Sequence, residues 1–194
     1  VIVVGAGAAG SVAALASARM GAETALIQNR PVLGGNSSIE LGVPINGAAS
    51  AHPNARESGI IEEVGRIKAR YRFRKMSEPF HIAAKDEDRL SVFLNNHVYA
   101  VGMDGDDRIA YVEAVNTLTN EVTRYSADMF LDCTGDGWVG YYAGADYRLG
   151  REAAEEFGED LAPPQPDTIT MSGCLMGDLA LCYRAESFGK PMPY

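Results

Sequence analysis

The chain is 194 residues long, which at about 100–200 residues per domain allows one full domain and the start of another. Hydrophobic residues make up 46% and charged residues 22%, a globular composition that excludes disorder as an overall description. With 17 Lys and Arg against 26 Asp and Glu the net charge is −9, which argues against nucleic acid as a partner.

The three cysteines, Cys133, Cys174 and Cys182, cannot build a disulfide framework. Without any C-x-x-C they support neither zinc nor an iron–sulfur cluster, and no metal is expected. Their sparse use fits a reducing, cytoplasmic compartment.

Val1 to Val4 is a continuous apolar run rich in β-branched residues, the signature of a buried parallel strand. Gly5-Ala6-Gly7 turns the chain. Ala8 to Met20 is an Ala-rich helix that Gly21 stops, and Thr24 to Gln28 forms the second strand of a βαβ unit. The apolar stretch over residues 1–18 contains three glycines and follows no basic segment, so it reads as strand, turn and helix rather than as a membrane span or leader. No membrane partner is expected.

Residues 29–54 are loop-rich. A helix is expected from Glu57 to Lys75, with Glu57, Glu62 and Glu63 early and basic residues late, as the helix dipole favours. Leu90 to Leu94 is a strand. A β-meander follows: Val98 to Met103, Ile109 to Thr117 and Val122 to Tyr125, with turns at Asp104-Gly105 and Thr119-Asn120. Ala127 to Asp132 is one more buried strand. Helical patterns run from Trp138 to Ala145 and from Arg151 to Phe157, and the Pro-rich 162–166 is a linker. Residues 1–164 are thus one domain, and 165–194 begin a second, substrate-side domain. Val1 already lies in a strand and Gly189 to Tyr194 close no element, so the chain reads as a segment of a longer protein.

Gly5-Ala6-Gly7-Ala8-Ala9-Gly10 is a G-x-G-x-x-G placed between strand and helix, the context the motif requires. Gly5 permits the tight turn, Gly7 lets backbone approach a pyrophosphate, and Gly10 lets the helix pack closely on the sheet. The helix N-terminus then faces the phosphates. The second strand of such a unit ordinarily ends in an acid that binds the adenosine ribose. Here Gln28 and Asn29 offer neutral hydrogen bonds, and Arg30 could read a ribose phosphate, which leaves the nucleotide open. Gly34-Gly35 lets backbone run beside an extended cofactor, with Asn36 and Ser37 available to a ribitol or a ring edge.

Arg30 to Ser38 resembles the FAD-binding loop of the glutathione-reductase-like flavoproteins. Asp132-Cys133-Thr134-Gly135-Asp136-Gly137, after the meander and a buried strand, resembles their second backbone contact with FAD. With Val1 to Gly10, Arg56 to Glu63 and the stretch up to Gly150, the chain resembles the FAD-dependent oxidoreductase family of bacterial proteins. Distant relatives of that family include the flavin subunit of heterodisulfide reductase. The resemblance implies a three-layer α/β Rossmann-like FAD-binding domain with a β-meander, truncated at its C-terminal part.

It also implies roles. Gly5, Gly7, Ala8, Ala9 and Gly10 would hold the pyrophosphate, and Gln28, Asn29 and Arg30 would meet the adenosine ribose. Gly34, Gly35, Asn36 and Ser37 would lead toward the flavin. Val98 would offer main-chain bonds to adenine, and Thr134, Gly135 and Asp136 would close the near side. Two departures stand out: Gln28 replaces the ribose acid, and the second Gly-Asp motif of the C-terminal half is missing, so this segment alone is incomplete.

Gly135 to Gly140 also spells G-x-G-x-x-G, but no acid-ended strand follows it, and the match reads as an accident. The basic run from Arg66 to Lys75 reads as a solvated helix tail. His52, in a loop, is a weak candidate for an acid–base group, whereas His81 and His97 read as structural and Cys133 as an inert small hydrophobe.

The resulting expectation is an FAD-dependent oxidoreductase that transfers hydride or electrons on a small organic substrate. An NAD(P)-binding dehydrogenase domain and a non-catalytic dinucleotide-binding module are the alternatives.

Overall fold

The computed structural model describes residues 1–45 and 58–168. Two compact units are distinguished, Val1–Asp146 and Tyr147–Tyr194.

In the first unit, β1 (Ile2–Val4), β2 (Thr24–Ile27), β3 (Leu90–Phe93) and β7 (Phe130–Asp132) form a parallel sheet of order β3-β2-β1-β7. Val3 stands opposite Leu26 on one side and Leu131 on the other. All three β1 residues are buried, because the sheet is covered on both faces. β4 (Asn96–Met103), β5 (Ile109–Asn116) and β6 (Val122–Ser126) form a separate antiparallel meander. The result is the α/β architecture with a β-meander expected from sequence.

Alternation along β1 divides the core. Val3 joins Ala14, Leu15, Leu26, Val64, Phe80 and Ala83 on the helical side. Ile2 and Val4 join Ile27, Val98, Val112, Ala114 and Val139 on the meander side. Phe80 is fully buried, and truncating such a ring costs about 3–5 kcal/mol.

The helical layer is α1 (Ala8–Arg19), α2 (Ile60–Tyr71) and α3 (Ser77–Lys85). Helix α1 buries a small-residue face of Gly10, Ser11, Ala14 and Ala18, which brings it close to the sheet. Arg19 in its last turn bonds both carboxylate oxygens of Glu63 at 2.7 Å and reaches Glu87 at 2.5 Å, tying α1 to α2 and to the turn just past α3.

The helix expected over 57–75 is shorter, Ile60–Tyr71 among the described residues, and a further helix, Ser77–Lys85, follows it unannounced. Arg72 enters the left-handed region (φ 58°) and the Phe73 N–H closes back on Lys68 O at 3.0 Å, which ends α2. A new helix starts at Ser77-Glu78-Pro79, where the proline sits in a first turn that needs no N–H. Of the basic stretch read as a solvated helix tail, Arg66 pairs with Glu62 and Arg70 lies over the Tyr71 ring on the surface, whereas Lys75 lies past the helix, half-buried, with its Nζ donating to Gly42 O at 3.1 Å.

A short helix α4 (Trp138–Tyr142) follows β7 and packs against β4. In the described part of the second unit, α5 (Ala154–Phe157) ends at Gly158 with φ 68°, and Arg151 makes a backbone and side-chain bridge to Asp167. No helix among the described residues is long and apolar enough to cross a membrane.

Candidate functional site

The C-terminal ends of β1, β2 and β7 open into a cavity of about 680 Å³. Of the residues put forward from sequence as cofactor-binding, all but Gly10 line it, and His52 lies outside the described residues.

The floor is the turn after β1. Gly5 adopts φ +92°, and its N–H donates to Ile27 O at 2.8 Å. A Cβ at Gly10 would lie 1.8 Å from Gly5 O and 2.9 Å from the Cys133 Cβ, so Gly10 acts in helix–sheet packing rather than in the cavity. Gly7 is the opposite case: a Cβ there would meet nothing within 4 Å. Its open face looks into the cavity beside the start of α1, which has neither a side-chain cap nor an acidic residue in its first turn. The first N–H groups of a helix lack intrahelical acceptors and carry its positive end, so an anion is favoured at Gly7, Ala8 and Ala9.

The second glycine loop lies edge to edge with the first. Gly34 N–H donates to Ala6 O at 2.8 Å, and a Cβ at Gly35 would come within 2.9 Å of the Gly7 Cα. Ser37 is buried and its hydroxyl donates to Gly34 O at 2.7 Å, closing its own loop. The loop is held from outside by α3: Met76 N–H donates to Ser37 O at 3.1 Å and Ile39 N–H to Ser77 Oγ at 2.8 Å. Asn36 is exposed, and its carbonyl accepts the Val43 N–H at 2.7 Å. That bond helps place Glu40, Leu41, Val43, Pro44 and Ile45 along the cavity, residues that no sequence motif marked.

At the end of β2, Gln28 is buried with both ends of its amide committed to backbone. Oε1 accepts the Ala6 N–H at 3.0 Å, and Nε2 donates to Val32 O at 3.3 Å. The residue in the ribose-acid position therefore braces the glycine turn against the loop after β2. Asn29 and Arg30 are exposed at the cavity edge, and Arg30 Nη1 stands 3.5 Å from Glu40 Oε1.

The opposite wall comes from β4 and β7. Asn96 N–H donates to Gln28 O at 2.8 Å, which joins the start of β4 to the end of β2 and brings Asn96, His97 and Val98 to the cavity. Asp132 organises the loop after β7. Its carboxylate accepts Thr134 N–H at 3.0 Å, Thr134 Oγ1–H at 2.7 Å and Gly140 N–H at 2.9 Å, and Thr134 Oγ1 in turn accepts the Trp138 N–H at 2.8 Å. An acid two residues before a threonine is the available sequence signal for this turn. Cys133 lines the cavity too. Partial burial and the neighbouring Asp132 carboxylate push its thiol above the ordinary range, so it remains protonated at neutral pH.

The cavity sets the open Gly7 and the uncapped start of α1 against a lining whose charged residues include Arg30, Glu40 and Asp136. It fits the pyrophosphate and riboses of a dinucleotide such as FAD.

No curated protein matches the sequence. Solved structures resemble it in fold. A myxobacterial chondrochloren halogenase is 16% identical with a TM-score of 0.51, over 70% of this chain and 37% of its own. The glycerol-3-phosphate dehydrogenase from Bacillus halodurans, complexed with FAD, is 13% identical with a TM-score of 0.51, over 73% and 36%. Thioredoxin reductase from T. acidophilum is 14% identical with a TM-score of 0.42, over 69% and 30%. The chain thus spans between 30% and 37% of the length of these three structures. The sequence matches the family described as FAD dependent oxidoreductase over residues 1–188. The chain belongs to the FAD-dependent oxidoreductase family.

Proposed function

We propose that this chain builds the dinucleotide-holding part of an FAD-dependent oxidoreductase acting on a small organic substrate. The observation that carries the reading is Gly7: its open face looks into the cavity, beside the uncapped start of α1 and against the Gly34-Gly35 loop. That combination suits a pyrophosphate passing between two backbone edges.

FAD, when bound, would supply the redox chemistry, accepting or donating a hydride or electrons. The chain's residues bind, orient and shield. Gly7, Ala8 and Ala9 would hold the pyrophosphate through backbone N–H groups. Asn29 and Arg30 border the ribose side, Val98 offers main-chain groups to the base, and Asn36 lies toward the flavin. Thr134, Gly135 and Asp136 would wall the near side, held in place by Asp132. Residues 1–164 would form this part, with a substrate-side part starting at 165.

The test is anaerobic reduction of the purified protein loaded with FAD. Bleaching of the bound flavin by a pyridine nucleotide or an organic donor is the expected result. A bound flavin that no such donor reduces would favour a non-catalytic dinucleotide module, and binding of NAD(P)H without FAD would favour the dehydrogenase reading.

A further inference from the structure

Trp138 is the sole tryptophan of the chain, and its side chain has no role in the readings above. It lines the cavity in company with Asn96, His97 and Val98, yet 46% of its surface is exposed. A large ring left half uncovered at a cavity wall is available to a flat ligand.

Its surroundings in the cavity follow from the chain's own contacts. Helix α4 packs against β4, and the start of β4 is bonded to the end of β2 through Asn96 N–H and Gln28 O. The end of the second strand is where the adenosine ribose of a dinucleotide lies. Val139, the next residue, shares a core cluster with Val98, so Trp138 lies in the part of the cavity lined by the start of β4, the base side in the proposed reading.

The indole is also held in place. Its backbone N–H is fixed to Thr134 Oγ1 at 2.8 Å. Its ring stacks with Tyr142 (5.8 Å between centroids, 28° between planes) and meets Tyr141 edge-on (5.8 Å, 89°). A buttressed aromatic ring needs little further ordering to receive a base.

We propose that Trp138 is the stacking residue for the adenine ring of the bound dinucleotide, with Tyr141 and Tyr142 as its support. This rests on the dinucleotide reading of the cavity. Stacking supplies affinity without hydrogen-bond readout, which suits a site whose ribose-acid position, Gln28, is committed to backbone.

The experiment titrates the 194-residue chain, free of flavin, with ADP and separately with inorganic pyrophosphate. Tryptophan emission and calorimetry are followed together. ADP should quench the emission with the midpoint found by calorimetry, whereas pyrophosphate should bind without quenching. Trp138→Ala should weaken ADP by about tenfold and leave pyrophosphate unchanged, and Trp138→Phe should restore most of the loss. ADP binding without quenching, or ADP affinity equal in wild type and Trp138→Ala, overturns the stacking role while leaving the dinucleotide site standing. The quenching measurement needs no variant, so it decides even if Trp138→Ala does not fold. Failure of the wild type to bind both ADP and pyrophosphate instead refutes the proposed function itself.

Discussion

Gly7 and Gly10 stand three residues apart in one motif, and the structure gives them different work. A Cβ at Gly10 would overlap Gly5 O at 1.8 Å and press the Cys133 Cβ at 2.9 Å. One neighbour is backbone of the turn after β1 and the other the residue after β7, so Gly10→Ala must lift α1 from the sheet. Overpacking of this kind costs about 1–3 kcal/mol or more. For a chain of this size that lowers the melting temperature by roughly 2–12 °C. Gly7 has φ −63° and ψ −172°, backbone that any residue adopts, and open space around its Cβ. Gly7→Val should therefore change the flavin-free melting temperature by the equivalent of about 1 kcal/mol at most, the scale of a helix-cap change. It should nonetheless lower flavin content by about tenfold or more, because its side chain would occupy the path proposed for the pyrophosphate. Melting must be compared without flavin, since bound ligand adds its own stabilisation. Equal destabilisation by both changes would refute the division of labour, as would Gly7→Val retaining flavin at the wild-type level.

Gln28→Glu places a carboxylate oxygen where Nε2 now donates to Val32 O, so at neutral pH it should lower stability by about 1–3 kcal/mol in urea unfolding. Because the buried carboxyl is favoured protonated there, the loss should shrink as the pH falls. Asp132→Ala removes the three bonds that hold Thr134 and Gly140, and flavin retention measured by dialysis should weaken by about tenfold, the scale of one charged hydrogen bond. The Arg19 guanidinium holds the Glu63 carboxyl below its ordinary range. That pair therefore contributes in full above the carboxyl's ordinary range and fades below it, as the pH falls through the lowered folded-state value. Arg19→Met should melt below the parent at neutral pH, by a modest amount because both groups are partly exposed, and the gap should close in acid.

What the sequence disclosed was local. The strand, glycine turn and helix over residues 1–19 are specified by neighbours within a few positions, and so is the meander with its Asp104-Gly105 and Thr119-Asn120 turns. Helix α3 escaped because the basic run continues through Arg72 to Lys75, hiding the left-handed break that ends α2. Its own start, Ser77-Glu78-Pro79, was legible in retrospect. The cavity's far edge, Glu40 to Ile45, is held by bonds from Val43 N–H to Asn36 O, from Lys75 Nζ to Gly42 O and from Glu40 N–H to Ser38 Oγ, which no composition signals. Trp138 reaches the cavity only because α4 folds onto β4. Gln28 shows the opposite limit. Its place in the motif pointed to the ribose, whereas its amide is held by Ala6 and Val32, partners on either side of a turn that only the folded backbone brings together.

The most direct test of the account is the visible absorption spectrum of the purified protein after incubation with FAD and removal of the excess. The flavin released on denaturation is then identified. A flavin spectrum with FAD, and not FMN, in the released fraction is the predicted result, since the proposed reading gives the cavity to a pyrophosphate and a second nucleoside. A colourless protein that refuses FAD would contradict the account at its centre and leave the paired glycine loops without a ligand.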